Sequence, residues 1–370
     1  MTSPTFDEAS FVAENFPNKP AESYLDTAAI GLVPEAVRKA LNSYTDATGR
    51  GMLGSSAWQP VTAGAHARIA DEFGVAPERL SSLATTGEAM NATARAIPWE
   101  SGDEILVFSD DFPTVHLPWR RLGQGTRVVE LAPPADEDRT STMIEALGPR
   151  TRVVSITHVH ATTGSLVDLT ALGRACHSNG TLLVVDGAQS AGAVRLDLDE
   201  TDVYIGAAYK WLLAGFGFTT VVTSARFTDL AKPGLLGYAN RPPSGSLVYG
   251  HRNLAGMYAV GAAAEVRSAF GLDRSIHRTH LLVARLHKEL TALDFRPLSP
   301  LDRSAGIVTV AGLDGENLAG ALGDRGVVVA SRQGMLRISP YFYTADQELD
   351  RFLDTFSELA PKFRVGPATS

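Results

Sequence analysis

Residues 181–211, TLLVVDGAQSAGAVRLDLDETDVYIGAAYKW, contain two short apolar runs that are typical of buried β-strands. The first run ends at Asp186, and Lys210 stands just past the end of the second. Buried strands of this kind belong to parallel sheets covered by helices on both faces, and such sheets bind ligands at the carboxyl ends of their strands. We therefore expect the aspartate and the lysine to meet at one ligand site.

The same alternation of apolar runs and helical patterns extends from about residue 80 to residue 225. Seven runs read as strands: LSSLATT, DEILVFS, TRVVEL, TRVVSITHV, TLLVVD, DVYIGA and FTTVVTS. Helical patterns at 88–97 and 169–178 lie between some of them. This alternation predicts an α/β fold with a mostly parallel, seven-stranded sheet.

After the Pro- and Gly-rich segment 232–246 the pattern changes. Two long helices, at 256–270 and 275–293, come first. They lead into strand, helix, strand, strand and helix patterns in SAGIVTVAGL, NLAGALGDRG, VVVASRQG, MLRISP and DQELDRFLDTF, which predict a small α+β domain. A chain of 370 residues exceeds the roughly 250–300 residues at which a single core stops growing. We expect an N-terminal arm at 1–20, a large domain at 21–255 and a small domain at 256–370. Thr344 and Gln347 predict a capping box for the last helix.

Composition narrows the functional class. The formal charge of −8 and a pI near 5.6 disfavour nucleic acid as a partner. Cys176 is the one cysteine, which excludes an intrachain disulfide and a cysteine-based zinc site. No apolar run approaches the roughly 20 residues of a membrane span, and the first residues do not resemble a secretion signal. We expect an enzyme of the cytoplasm with no membrane partner.

An aspartate and a lysine at adjacent strand ends indicate pyridoxal phosphate. The aldehyde of this cofactor reacts with a lysine amine, and its ring nitrogen stays protonated beside a carboxylate. Lys210 and Asp186 would fill these two roles. The alternative is a helix-capping aspartate and a solvated lysine, but Lys210 stands between Tyr209 and Trp211 in an apolar context.

Four motifs in the same order resemble fold type I pyridoxal phosphate enzymes of the class V aminotransferase group. The resemblance extends from YLDTAAIGLVPEAV at 24–37 to LRISPYFYTADQELDRF at 336–352, nearly the whole chain. This group includes cysteine desulfurases, selenocysteine lyases, isopenicillin N epimerases and kynureninases. It implies a fold type I large domain followed by a small C-terminal domain, with pyridoxal 5'-phosphate as the cofactor.

The first two motifs concern the cofactor's phosphate and ring. The segment TTGE follows a strand and opens a helix, and the resemblance implies that Thr86 and Gly87 bind the phosphate. In SDDFPTVHLPW it places Phe112 over one face of the pyridine ring. The alternatives are an ordinary helix start and a phenylalanine of the core.

The third motif, THVHATTG, has Ala161 where relatives commonly carry an asparagine that bonds the cofactor's phenolic oxygen. Thr162 or Gln189 would then take over this contact. Gln189 in the segment DGAQ matches a family residue with this role, so we favour it.

The fourth motif, GAAYKWLLAGFGF, has Ala207 and Tyr209 where many relatives have the serine and histidine that touch the phosphate. The Tyr209 hydroxyl or a second subunit would have to supply the missing donors. The segment GHRNLAG occupies the place of a loop that crosses the dimer in relatives, and it offers His251 and Arg252. The resemblance therefore implies a homodimer, with a solvated loop as the alternative.

Arg337 in LRISP matches the family residue that binds the substrate's α-carboxylate, which implies an amino-acid substrate. Lys210, once released by the substrate amine, would be the nearest base to the α-proton. β-Elimination, transamination and racemisation all remain open at this point.

Cysteine use restricts the reaction. A desulfurase carries a reactive cysteine in the loop before the arginine, and VVVASRQGM has none. We therefore expect a C–S lyase that forms no enzyme persulfide, loosely similar to the C–S lyase of ergothioneine biosynthesis. An aminotransferase or an epimerase is the alternative. A non-catalytic cofactor-binding module and a nucleotide-binding protein are disfavoured, because the lysine is present and no G-x-G-x-x-G or GK[ST] loop follows an early strand.

Overall fold

A computed structural model describes residues 6–123, 125–134, 138–241 and 245–365. The strands in this part of the chain are β1 (Ser23–Tyr24), β2 (Leu80–Leu83), β3 (Glu104–Phe108), β4 (Arg127–Leu131), β5 (Thr151–Thr157), β6 (Leu182–Asp186), β7 (Val203–Ala207), β8 (Thr219–Thr223), β9 (Val308–Val310), β10 (Val327–Val328), β11 (Ala330–Arg332) and β12 (Met335–Ile338). The helices are α1 (Glu8–Asn15), α2 (Glu35–Thr48), α3 (Ser55–Glu72), α4 (Thr86–Ala96), α5 (Pro113–His116), α6 (Arg139–Glu145), α7 (Leu169–Ser178), α8 (Ala225–Leu230), α9 (Leu254–Phe270), α10 (Leu272–Ala292), α11 (Gly315–Gly323) and α12 (Asp346–Leu359).

The central sheet contains seven strands in the order β2-β8-β7-β6-β5-β3-β4. Strand β8 runs antiparallel to both of its neighbours, and the other pairs are parallel. All seven apolar runs form strands of this sheet, so the predicted α/β architecture is confirmed. Asp186 pairs with Thr157 of β5 and with Ile205 of β7, which places the carboxyl ends of three parallel strands at one edge.

Both faces of this sheet are covered. Side chains alternate along β6, so that Leu183 and Val185 enter one apolar cluster while Leu182 and Val184 enter another on the opposite face. Every residue of β6 is buried. Each buried aliphatic side chain contributes about 1.5–3 kcal/mol, which explains why the strands could be read from apolar runs without alternation.

A smaller sheet, β11-β12-β9, is antiparallel and belongs to a separate apolar cluster that also includes residues of α10, α11 and α12. Strand β1 pairs in parallel with β10, so residues near the start of the chain lie against this C-terminal part. Helix α1 packs near the end of α9, where the rings of Phe11 and Phe270 are 5.3 Å apart. The domain limits at 20/21 and 255/256 stay a prediction.

The predicted capping box of α12 is wrong by one residue. The N-cap is Ala345, and the Glu348 side chain accepts a hydrogen bond from its backbone N–H at 2.7 Å. Thr344 is buried, and its Oγ1 accepts from the backbone N–H of Tyr341 at 3.1 Å. Because the threonine hydroxyl is used by the preceding turn, it does not cap the helix, and Gln347 has no capping role.

Among the described residues, no helix is both long and apolar enough to cross a membrane. The cytoplasmic location stays a prediction. Within the same part of the chain, no group of three or more His, Cys, Asp or Glu side chains could hold a metal ion.

Candidate active site

A cavity of about 290 Å³ opens at the carboxyl ends of β5, β6 and β7. Seven of the ten residues proposed from the sequence line it: Thr86, Gly87, Phe112, Asp186, Gln189, Tyr209 and Lys210. These residues come from separate motifs of the chain, and the sheet topology brings them together. The cavity is therefore the candidate cofactor site.

Lys210 follows β7 by three residues and is 9% exposed. The turn that carries it is fixed from outside, because the backbone N–H of Gly31 donates to the carbonyl of Tyr209 at 2.9 Å. A Cβ at Gly31 would lie 2.1 Å from the Lys210 carbonyl oxygen, so this close approach requires glycine. Burial lowers the pKa of Lys210 to about 8, and the nearby Asp186 opposes this effect. At physiological pH a pKa near 8 leaves much more of the amine neutral than in an ordinary lysine, which suits a nucleophile and base.

Asp186 is the last residue of β6 and is 3% exposed. Its Oδ1 accepts from the backbone N–H of Ala188 at 2.8 Å. Burial raises the pKa of this carboxyl to about 6, although the Ala188 hydrogen bond and Lys210 oppose the shift. A cationic ring nitrogen at Oδ2 would favour the ionised form, as the cofactor requires.

The N-terminus of α4 forms one wall of the cavity. The Thr85 hydroxyl caps the helix by accepting from the Glu88 N–H at 3.0 Å. Within the part of the chain that the structure describes, the backbone N–H groups of Thr86 and Gly87 have no hydrogen-bond acceptor, as is usual for the first turn of a helix. A Cβ at Gly87 would meet no atom closer than Thr85 Oγ1 at 3.9 Å, so the space beside these donors is open. Free donors at the positive end of a helix fit a phosphate.

Phe112 is 51% exposed at the mouth of the cavity, so it is not a core residue. Its backbone N–H donates to Asp111 Oδ1 at 3.1 Å, and Asp111 also accepts from the N–H and hydroxyl of Thr157. These bonds anchor the phenylalanine to the end of β5. An exposed ring held in this way is available to stack on a flat cofactor.

Gln189 is the better placed of the two candidates for the phenolic oxygen. Its Oε1 accepts from Trp211 Nε1 at 2.8 Å, and its Nε2 donates to the Ala28 carbonyl at 3.0 Å. The second hydrogen of Nε2 remains for a ligand. Gln189 lines the cofactor cavity, whereas Thr162 lines only the adjoining one.

A second cavity of about 330 Å³ adjoins the first and shares five of its lining residues, Lys210 among them. Arg337 lines this second cavity and is 1% exposed. Its Nη2 donates to Asp26 Oδ1 at 3.1 Å and its Nη1 to the Ala161 carbonyl at 3.0 Å, while its Nε is buried without a partner. Burial lowers the pKa of Arg337 to about 10, with Asp26 opposing. A buried guanidinium with free N–H groups beside Lys210 suits a substrate carboxylate.

Several polar residues of the second cavity or its ion pair were not proposed from the sequence, among them Asp26, Asp110, His160 and Arg332. Asp26 pairs with Arg337 across 311 positions of sequence, and no local pattern signals this contact. His160 is buried, and its Nδ1 bonds the hydroxyl of Thr163 at 3.0 Å.

His251 and Arg252 are exposed and line neither cavity. The His251 ring contacts the ring of Tyr238, with centroids 5.3 Å apart. Within one subunit these two residues are not part of the site. Their predicted contact with the phosphate of a second subunit stays a prediction.

A larger cavity of about 610 Å³ is lined by residues of α3, α9 and the start of α10, away from all ten proposed residues. Its lining arginines form ion pairs: Arg267 with Glu72, Arg68 with Glu265 and Arg195 with Asp273. Each of its three lining arginines is thus paired with a carboxylate, and size alone does not identify the active site.

Comparison with known proteins identifies the family of this chain. Residues 23–352 match the model of the family described as Aminotransferase class-V. The chain belongs to the class V aminotransferase family. It is 28% identical to isopenicillin N epimerase of Amycolatopsis lactamdurans over 337 residues, which cover 80% of this chain and 84% of the relative.

Two solved structures show the fold of this class V chain. The apo structure of cysteine desulfurase from Thermococcus onnurineus NA1 has a TM-score of 0.88 at 22% identity, over 98% of this chain and 100% of the other. The cystine C-S lyase C-DES, in complex with its reaction product cysteine persulfide, has a TM-score of 0.86 at 19% identity, over 94% and 100%. This class V enzyme has the fold of type I pyridoxal phosphate enzymes, depends on that cofactor and acts on an amino acid.

Proposed function

We propose that this class V enzyme is a lyase that eliminates a sulfur substituent from the β-carbon of an amino acid without forming an enzyme persulfide. The position of its single thiol carries this proposal. Cys176 lies on α7, is fully buried in a core cluster, and has its pKa raised by burial to about 12. The hairpin of β11 and β12 before Arg337 contains no cysteine. Sulfur therefore has no enzyme thiolate to accept it.

The residues of the first cavity are assigned to the cofactor. We assign the phosphate to the N–H groups of Thr86 and Gly87, one ring face to Phe112, and the ring nitrogen to Asp186. When bound, pyridoxal phosphate supplies the electron sink that makes the α-proton removable.

Substrate handling falls to Arg337 and Lys210. Arg337 has five N–H groups, of which two serve Asp26 and Ala161, so the remaining ones can hold an α-carboxylate. Lys210 Nζ takes the α-proton, and the β-substituent leaves with the electron pair of its bond. Lys210 lines both cavities, which supports its assignment to both the cofactor and the substrate.

Epimerisation is the second candidate. It is favoured by the 28% identity to an isopenicillin N epimerase over 80% of this chain. An epimerase returns a proton to the opposite face of the α-carbon, and an aminotransferase returns it to the cofactor. A β-substituent that can leave permits elimination, and without one the residues of the cavities do not choose between epimerisation and transamination.

The test is a product analysis. The cofactor-loaded enzyme is incubated with cystine, with S-alkylcysteines and with amino acids that have no leaving group. The proposal requires pyruvate, ammonia and a sulfur product in equal amounts. Inversion of the α-carbon without keto acid would assign an epimerase, and keto acid without free ammonia would assign an aminotransferase.

We also propose that the enzyme is a homodimer whose sites contain residues of both subunits. The family's serine and histidine are replaced by Ala207 and Tyr209, which leaves the phosphate short of donors. His251 and Arg252 are exposed on the loop before α9 and are free to reach a neighbouring site. Met52 and Leu53, in the segment between α2 and α3, are 78% and 80% exposed. Large apolar side chains that are this exposed support a contact surface for a second subunit.

A further inference from the structure

We infer that the preferred substrate carries a second acidic group on its side chain, a carboxylate or sulfonate, and that Arg332 binds it. This inference rests on the proposed function, which assigns the α-carboxylate to Arg337. Arg332 lines the second cavity together with Lys210 and Arg337, and the resemblance to the family gives it no role.

Hairpin geometry places the two arginines side by side. In the register of β11 and β12, Ala330 pairs with Arg337, and Arg332 pairs with Met335. Residues two apart on a strand share a face, so Arg332 lies on the same face as Arg337. Such diagonal neighbours are about 7–8 Å apart, a spacing that separates two acidic groups of one substrate.

A tight turn holds this arrangement. Gln333 and Gly334 connect the strands with φ values of 50° and 78°. Two consecutive positive φ angles are typical of the type I′ turn, whose twist matches that of paired strands. The backbone positions of both arginines are therefore set by one short hairpin, and substrate binding need not order a loop.

The two arginines differ in whether an acidic side chain pairs with them. Arg337 is balanced by Asp26, at 3.1 Å. Arg332 is exposed, and its Nη1 donates a hydrogen bond to the carbonyl oxygen of the adjacent Ser331 at 2.8 Å. No acidic side chain of the described residues forms an ion pair with it, and the nearby Asp110 pairs with Arg139. Asp26 feels the charge of Arg332 but is hydrogen-bonded to Arg337, so the guanidinium at the mouth of the cavity has no ion pair among the described residues and a ligand acid would supply one.

Matched substrates test the inference. S-Carboxymethylcysteine and S-ethylcysteine have side chains of similar length, and only the first carries an acid. We expect wild type to prefer the acidic compound, and Arg332→Gln to lose roughly 10-fold in kcat/KM for it, mainly through KM. The loss on the neutral compound should be clearly smaller than the loss on the acidic one, and Arg332→Lys should recover part of the latter. Arg296→Gln, which removes an exposed arginine outside both cavities, is the matched control.

Binding without turnover separates this inference from the proposed reaction. Calorimetry compares glutarate with butyrate on the cofactor-loaded wild type and Arg332→Gln proteins. A glutarate advantage that disappears in the variant supports the inference even if no cysteine derivative is cleaved. Equal losses for both ligands, or for both substrates, would show that Arg332 shares the α-carboxylate with Arg337, and a glutarate advantage that survives the substitution would exclude Arg332. Either result overturns the inference, as does equal binding of both acids by wild type.

Discussion

At the scale of single residues, the low pKa of Lys210 has a measurable consequence. Because burial lowers this pKa to about 8, half of the amine is neutral near that pH. The rate at which the apoprotein incorporates pyridoxal phosphate should rise with pH and level off above about 8. Lys210→Ala should abolish turnover, because the reactive amine and the base are lost together.

Borohydride reduction of the loaded enzyme should leave the cofactor covalently attached to Lys210, as located by peptide mass spectrometry. Lys232→Ala is the control, and it should retain both the label and the activity. A label on Lys232, or on any other lysine, contradicts the assignment.

Asp186 should stabilise the loaded enzyme and destabilise the empty one. Its carboxyl has a folded pKa of about 6, raised by burial from 3.8, so the apoprotein loses stability as pH rises from 3.8 to about 6, and this loss persists at higher pH. Asp186→Asn keeps an acceptor for the Ala188 N–H and removes the charge. We expect this variant to raise the apoprotein's free energy of unfolding by roughly 1–3 kcal/mol at pH 7.5 and to have no such effect near pH 4.

The same variant should bind cofactor weakly and lose turnover by orders of magnitude, because an ionised partner for the ring nitrogen is missing. Urea unfolding and a cofactor titration measure the two effects separately. Near-normal turnover of Asp186→Asn would show that another group protonates the ring.

Cys176 should be dispensable for chemistry. Cys176→Ser is expected to keep most activity and to lose about 1–3 kcal/mol of stability, since it puts a hydroxyl into an apolar cluster. Cys176→Ala separates the polar effect from the loss of sulfur. Loss of activity in a folded, cofactor-loaded variant, together with a persulfide trapped on wild type, would return the enzyme to the desulfurases.

The sequence predicted Lys210 and Asp186 because each stands at or just beyond a buried strand end within one short stretch. Asp26 could not be predicted in this way. Its role follows from a contact with Arg337 over 311 positions of sequence, and nothing near it in the chain indicates a partner. Arg332 lies in the segment VVVASRQGM, but which face of the sheet it belongs to depends on the register of β11 and β12.

At the scale of elements, the N-terminus of α4 is testable by backbone substitution. Thr86→Pro removes one N–H that the helix does not use, and proline is favoured at the first helical position. The preceding residue, Thr85, has φ −140° and ψ 155°, which suits a following proline. We expect roughly 10-fold weaker cofactor binding with little change in apoprotein stability.

Thr86→Ala is the matched control for this change, because it removes the hydroxyl and keeps the N–H. Fluorescence titration of apoprotein with cofactor compares the two variants. If Thr86→Pro binds as tightly as Thr86→Ala, the backbone donor does not hold the phosphate.

Element types were more predictable than element ends. The strands of the central sheet are buried on both faces and therefore show as apolar runs. The segment VVVASRQG was predicted as one strand, but it forms β10 and β11, which pair with different sheets. Helix α10 begins at Leu272 rather than at the predicted position 275, directly after Gly271 with φ 93°. Such limits depend on contacts between distant segments.

At the scale of the whole molecule, the proposed homodimer predicts complementation. Lys210→Ala subunits and Arg252→Ala subunits should each have low activity alone. Mixed dimers should regain activity, because one of the two sites then contains both an intact lysine and an intact crossing loop. Lys210→Ala mixed with Asp186→Ala is the control: both residues line the cavity of their own subunit, so each site of this mixed dimer carries one defect and no activity should return.

Activity that returns in the first mixture and not in the control indicates a site shared between subunits, whereas activity that returns in both would have another cause. Sedimentation at micromolar concentration gives the oligomeric state independently. A monomer that is fully active at that concentration contradicts the composite site.

The pairing of Asp26 with Arg337, and of β1 with β10, also bears on how the enzyme is made. A ribosome synthesises Asp186 and Lys210 long before it reaches Arg337. Asp26 is made early and cannot pair until Arg337 has been synthesised. Contacts of such long range are also slow to form, because the chain must first close a long loop. A nascent chain stopped before residue 337 therefore holds the reactive lysine without the guanidinium that we assign to the substrate carboxylate. The ability to bind an amino-acid substrate is therefore completed late in the synthesis of the chain.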